Sequence, residues 1–166
     1  MKGLVEIIRR VARAELARRR GCRLAVVVAT HPHTDDGDEN NHEVDVRLKH
    51  DGLELRRVPV VVPFAGFAAG PRVGDLVLVD FLDGDLAQPF VLGALHHATH
   101  RPPAYTDREI VVEHDGTVRV MAGDNVSLAL GTDGCVLTGN VTVNGDLRVE
   151  SSGGATTISG HEITGE

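Results

Sequence analysis

The chain has 166 residues, 42% of them apolar, and its 17 basic and 24 acidic side chains leave a net charge of −7. That is the profile of a globular protein of one or two domains rather than of a long disordered chain. The longest unbroken apolar run, Leu24 to Ala29, is far below the roughly 20 residues of a membrane-crossing helix; aromatic residues are only 3%, so the core is expected to be β-branched and small, as in a β-rich protein.

Charge divides the chain in three. Residues 1–20 hold seven basic and two acidic side chains, a net of +5, whereas residues 21–103 net −5 and residues 104–166 net −7. In the first stretch Leu4, Ile7, Ile8 and Val11 recur at helical spacing, Arg9, Arg10 and Arg13 fall mostly off that face, and Gly21 follows three arginines. The spacing predicts an amphipathic helix over residues 1–21, free either to pack on its own domain or to dock on a partner subunit. Arginines inside the apolar pattern do not make a secretory signal, so synthesis in the cytoplasm is expected. The acidic remainder, with no aromatic-rich basic surface for stacking bases, argues against a nucleic-acid partner.

The middle stretch, residues 22–97, reads as short strands between turns. Arg23–Thr30 is the first. Glu43–His50 alternates cleanly and leads through Asp51-Gly52, read as a two-residue hairpin turn, into Leu53–Val60. Asp75–Phe81 and Pro89–His97 follow, separated by a reversal at Leu82–Gln88 that Gly84 permits. Connections too short for helical crossovers point to a five-stranded antiparallel barrel of the OB type. Cys22 and Cys135, 113 residues apart and without metal-type spacing, are expected as buried small hydrophobes.

Residues 98–107 contain Pro102-Pro103 and form a stiff, Pro-rich linker. Beyond it, over residues 108–166, turn residues recur at Gly116, Asp124, Asp133, Gly139, Gly145, Gly153 and Gly160, a degenerate repeat. Val118, Val120, Ala122, Val126, Leu128, Leu130 and Val136 share one parity and are expected on one side of their strands; at Gly139-Asn140 the parity passes to Val141, Val143, Leu147 and Val149. A ribbon with one aliphatic stripe and no second layer cannot bury it alone. The expectation is an intertwined homotrimer with the stripe inside and the acidic and hydroxyl side chains outside.

Pro71–Pro103 carries Val73-Gly74-Asp75 before a strand, an F-x-x-G-D turn at Phe81–Asp85, and a P-x-V-L-G-x-L strand at Pro89–Leu95. The segment resembles the OB domain of phage baseplate assembly protein V and the spike proteins of contractile injection systems and type VI secretion. Gly139–Val149 (GNVTVNGDLRV) is similar to that family's trimeric β-helix needle. The resemblance implies an all-β protein: an N-terminal helix, a five-stranded OB-type barrel and a C-terminal intertwined trimeric β-helix. It also implies hub, baseplate and tube proteins as partners, a small cone protein capping Glu166, transient contact with the target membrane, and a place in a phage tail or injection particle. Many such needles end in His-x-His pairs that cage a metal; this chain has His161 alone in ISGHEITGE, so no metal is assigned.

Two clusters hold residue types that could carry chemistry. His31-Pro32-His33 precedes Asp35, Asp36, Asp38 and Glu39, a faint likeness to the metal motif of cupins, but in a segment that is a loop by composition. His96 and His97 are neighbours that point to opposite faces of a strand, and with His100 they read as surface histidines. No nucleophile stands in an activating motif and no glycine loop cradles a phosphate. The reading is therefore a non-enzymatic spike without catalytic residues or cofactors. A cupin-like metal enzyme using His31, His33 and a histidine of the 96–100 group is the alternative, and an OB-type nucleic-acid binder the third.

Overall fold

A computed structural model describes residues 2–19 and 21–148, with backbone alone at 2 and 13–19. The chain divides after Pro103 into two compact units. No helix among the described residues is long and apolar enough to cross a membrane.

The first unit begins with helix α1 (Lys2–Arg19). Its apolar stripe is uncovered: Leu4, Ile7, Ile8 and Val11 are all more than half exposed. Gly21, at φ 137°, turns the chain into the sheet.

The barrel is built from β1 (Arg23–His31), β2 (Glu43–Leu48), β3 (Glu54–Pro59), β4 (Leu76–Phe81) and β5 (Pro89–Leu95), hydrogen-bonded in the order β3-β2-β1-β4-β5 with every neighbouring pair antiparallel. The ends of that order meet through a parallel bridge between Val60 and Val91, where Val61 N–H donates to Val91 O at 2.9 Å. Five antiparallel strands closed by one parallel contact make the partly open barrel of an OB domain. Its core is Ala25, Val27, Val44, Val46, Leu48, Val58, Val77, Val79, Phe81 and Val91. These are the inward members of alternating strands, and seven of the ten are valine, in keeping with the composition.

Three bulges bend the sheet closed. They fall between Val27 and Ala29 on β1, opposite Asp45 on β3 where Arg57 takes φ 53°, and between Val91 and Gly93 on β5. An extra residue on one strand increases local twist and lets a short strand turn a barrel corner.

The sequence motifs have physical work here. Gly74 sits at φ 96°, a conformation disfavoured for residues with a Cβ, and donates its N–H to Val27 O at 2.9 Å, while Asp75 Oδ2 accepts Arg72 N–H at 2.7 Å. In the next turn Phe81 enters the core, Asp83 and Gly84 take φ 51° and 75°, and Asp85 Oδ1 accepts Ala87 N–H at 2.9 Å. That bond, then the one from Gln88 Nε2, holds the Asp85 carboxyl below its ordinary pKa.

The connection between β2 and β3 differs from the two-residue turn expected at Asp51-Gly52. Leu48 N–H donates to Leu53 O at 2.9 Å and Gly52 N–H to Leu48 O at 3.0 Å, so the loop has four residues, Lys49 to Gly52. Asp51 is an acceptor within it, bonding Leu53 N–H at 3.1 Å, and only Gly52 needs a positive φ, 73°. A two-residue type I′ turn would require positive φ at both central residues.

In the second unit β6 (Val118–Ala122), β7 (Val126–Gly131) and β8 (Gly134–Thr138) form an antiparallel meander. Val118 pairs with Leu130, Val120 with Leu128 and Ala122 with Val126, so the expected stripe is present on β6 and β7. On β8 it continues differently: Leu137 pairs with Leu128 and Cys135 with Leu130, whereas Val136 pairs with Ala129 on the other face. The expectation for Val136 is thus corrected. A three-residue loop at Gly123–Asn125 preserves odd-even parity between paired residues; the two-residue turn Thr132-Asp133, closed by Gly131 and Gly134, reverses it. The expected needle beyond residue 148, with Val149 and His161, lies outside the described residues.

No residue between 104 and 148 is buried. Val120, Met121, Val126, Val136, Leu137, Val141 and Leu147 each expose about half or more of their surface. Cys22 and Cys135, expected in cores, are both exposed: Cys22 precedes the first barrel strand, and Cys135 lies on this uncovered sheet.

Candidate functional site

The loop between β1 and β2 holds the densest polar cluster, and its side chains are committed to one another. Asp38 is the hub. Its carboxylate accepts the backbone N–H groups of Thr34, Asp35 and Asn40 and the Thr34 hydroxyl, while its Oδ1 stands 2.9 Å from His33 Nδ1. The Thr34 N–H, then His33, hold the Asp38 carboxyl well below the usual carboxylate range; reciprocally, the bond to Asp38 raises the His33 pKa above its ordinary 6.5. Asp35 Oδ1 accepts Gly37 N–H at 2.8 Å, which closes the turn.

His31 turns elsewhere. Its Nε2 is 3.0 Å from Asp45 Oδ1, the same oxygen that accepts Arg57 N–H at 2.9 Å from the β3 bulge. Arg57 in turn reaches Asn40 Oδ1 at 2.6 Å and Glu43 Oε2 at 3.2 Å. His31 and His33 are therefore each anchored to a different carboxylate, and the cluster ties the loop to the sheet. Among the described residues no group of three His, Cys, Asp or Glu side chains is arranged to hold a metal ion.

The second cluster lies at the end of β5. His96 is exposed just beyond Leu95, and His97 and His100 stand together across a tight turn, with His100 Nδ1 3.1 Å from Asp75 Oδ1.

Apolar surface is the other candidate. On the β3–β4 connection Val61, Phe64, Phe67 and Val73 are 42–64% exposed, and the two phenyl rings meet edge to face with centroids 5.9 Å apart. Beneath this connection His42, at φ 56°, accepts Val60 N–H at its carbonyl oxygen and lines a cavity of about 250 Å³ with Thr30, Gly70 and Arg72. Sequence reasoning passed over the loop, although its signal, Pro63-Phe64-Ala65-Gly66-Phe67, holds two of the four phenylalanines of the chain. Large exposed aromatics of this kind are the usual anchors of protein interfaces. With α1 and the second-unit sheet they give three exposed apolar surfaces.

Residues 24–96 match the family described as the type VI secretion system/phage-baseplate injector OB domain. The barrel is a domain of that kind, in keeping with the motifs of Pro71–Pro103. The chain is 51% identical over 68 residues to the type VI secretion system spike proteins VgrG2a and VgrG2b of Pseudomonas aeruginosa, covering 38% of this chain and 8% and 7% of those proteins. It is 53% identical over 38 residues, 23% of this chain and 4% of the relative, to the actin cross-linking toxin VgrG1 of Vibrio cholerae. The chain thus spans less than a tenth of the length of these relatives.

Proposed function

We propose that this chain, whose barrel is an OB domain of the contractile-injection kind, is a non-enzymatic central spike: three copies braid residues 108–166 into a β-helical needle, and the barrel with α1 seats them on hub and tube proteins. The match of residues 24–96 supports the injector assignment. What carries the braided trimer is the second unit itself, an apolar-striped sheet in which no residue between 104 and 148 is buried.

The physical role follows from that arrangement. Free energy for penetration comes from a contracting sheath, and the spike has to resist bending and unfolding under axial load. Interchain strand pairing provides this resistance, because shear must break many backbone hydrogen bonds together, at about 1–3 kcal/mol for each group left unsatisfied away from water. Putting the Val118–Leu128 stripe inside leaves Arg119, Ser127 and Thr138, on the other face, toward solvent. Three chains at −7 each carry −21, which keeps rods apart. A capping cone protein at the needle tip and brief contact with a target membrane belong to the same reading. The cupin-like alternative gains no support from His31 and His33, each held by its own carboxylate.

Negative-stain imaging of the purified chain tests the proposal. A club with a thin shaft is the expected particle; a compact globe would overturn it.

A further inference from the structure

The turn that follows β5 sets two imidazoles side by side in a way the spike role does not use. His97 and His100 face each other across Ala98-Thr99, closed by His97 N–H to His100 O at 3.0 Å and His100 N–H to His97 O at 3.1 Å. Directly opposed residues of such a pair project to the same side of the ribbon, and the two rings have centroids 4.8 Å apart at 37°. Each Nδ1 is already engaged: that of His97 lies 3.0 Å from Thr99 Oγ1, and that of His100 lies 3.1 Å from Asp75 Oδ1. In the tautomer that donates both Nδ1–H groups to these oxygens, both Nε2 lone pairs are available to a ligand.

We propose that His97 and His100 form a two-imidazole chelate for a late first-row divalent cation, Cu(II), Ni(II) or Zn(II), with water completing the coordination. Imidazole nitrogen suits these ions, and a carboxylate behind a ligating histidine fixes its tautomer and ring orientation, the part Asp75 is placed to play. Asp75 is itself held, accepting Arg72 N–H at 2.7 Å. The ring separation fits. A metal about 2.1 Å from each Nε2 lies about 3.2 Å from each ring centre, so rings sharing one ion stand about 4.5–5.2 Å apart between square-planar and tetrahedral angles. His96 stands outside the pair, since adjacent residues project to opposite sides of an extended chain. Bound there, the ion would lock the turn after β5, whose His100 already bonds Asp75 ahead of β4, whatever the particle to which the chain belongs.

The test is titration of the full chain with Cu(II) alone in a non-coordinating buffer, read by equilibrium dialysis and electron paramagnetic resonance. The chain has nine histidines, so the comparison among variants decides. Expected are one ion per chain with two equatorial imidazole nitrogens, affinity at least tenfold weaker in His97→Gln and in His100→Gln with one nitrogen lost from the spectrum, and about 10–100-fold weaker in Asp75→Asn. His96→Gln should bind as the parent does. Equal affinity and an unchanged spectrum in the His97→Gln/His100→Gln double variant, with unchanged circular dichroism, would overturn the proposal, as would failure of the parent chain to bind stoichiometrically.

Discussion

Replacing Val120 by Asp probes the stripe where it is best defined. Val120 pairs with Leu128 at the centre of β6–β7 and is 63% exposed in a single chain. If three chains cover that position, each valine gains about 1–2 kcal/mol from burial, and each aspartate instead costs several kcal/mol to remove from water. Three carboxylates at one level also repel one another. The sum is about 10–20 kcal/mol against assembly, a factor of roughly ten million or more at about 1.4 kcal/mol per tenfold change. Val120→Asp should therefore run as a monomer by sedimentation velocity, and Met121→Asp, one residue along on the other face, should remain trimeric. A stable Val120→Asp trimer would refute the buried-stripe reasoning.

The register makes a sharper comparison on β8: Leu137→Asp should abolish assembly and Val136→Asp should leave it intact in the same experiment, since only Leu137 pairs with Leu128. Val91→Ala removes a fully buried side chain beside the β3–β5 closure and should cost about 2–3 kcal/mol in chemical denaturation of the barrel. Gly74→Ala meets no neighbouring atom but must hold φ 96°, so a loss of about 1–3 kcal/mol is expected from backbone strain alone. In the β1–β2 loop the His33 pKa, raised mainly by its bond to Asp38, should fall back toward 6.5 in Asp38→Asn, as followed by NMR titration of the imidazole protons. The signs set the pH window. The depressed Asp38 contributes loop stability above about pH 4 that is lost in stronger acid, and the raised His33 contributes below about pH 6.5 and loses it as pH climbs through its folded value, so loop order should peak between the two.

Much of the barrel was legible because its signals are local. Alternation in Glu43–His50 names Val44, Val46 and Leu48 as inward residues, and all three are buried. Val73-Gly74-Asp75 and Phe81–Asp85 mark turns whose glycines do take positive φ. What depended on pairing was less legible. The parity of Val136 could not be read without knowing that Thr132-Asp133 turns in two residues while Gly123–Asn125 turns in three, and Asp51-Gly52 looked like a complete turn because the bond from Leu48 to Leu53 is invisible in one dimension. The partners of the histidines were hidden for the same reason: Asp45 lies 14 residues from His31, and Asp75 lies 25 from His100. Composition alone suggested a loop rich in potential ligands, whereas the fold spends those groups on one another.

Light scattering of the purified chain, coupled to size-exclusion chromatography, addresses the braided needle most directly. Three chains of 17.7 kDa give about 53 kDa, and that mass should persist on dilution through the working range of concentration. A single species at 17.7 kDa, with residues 104–148 folded and protected from proteolysis, would contradict the account.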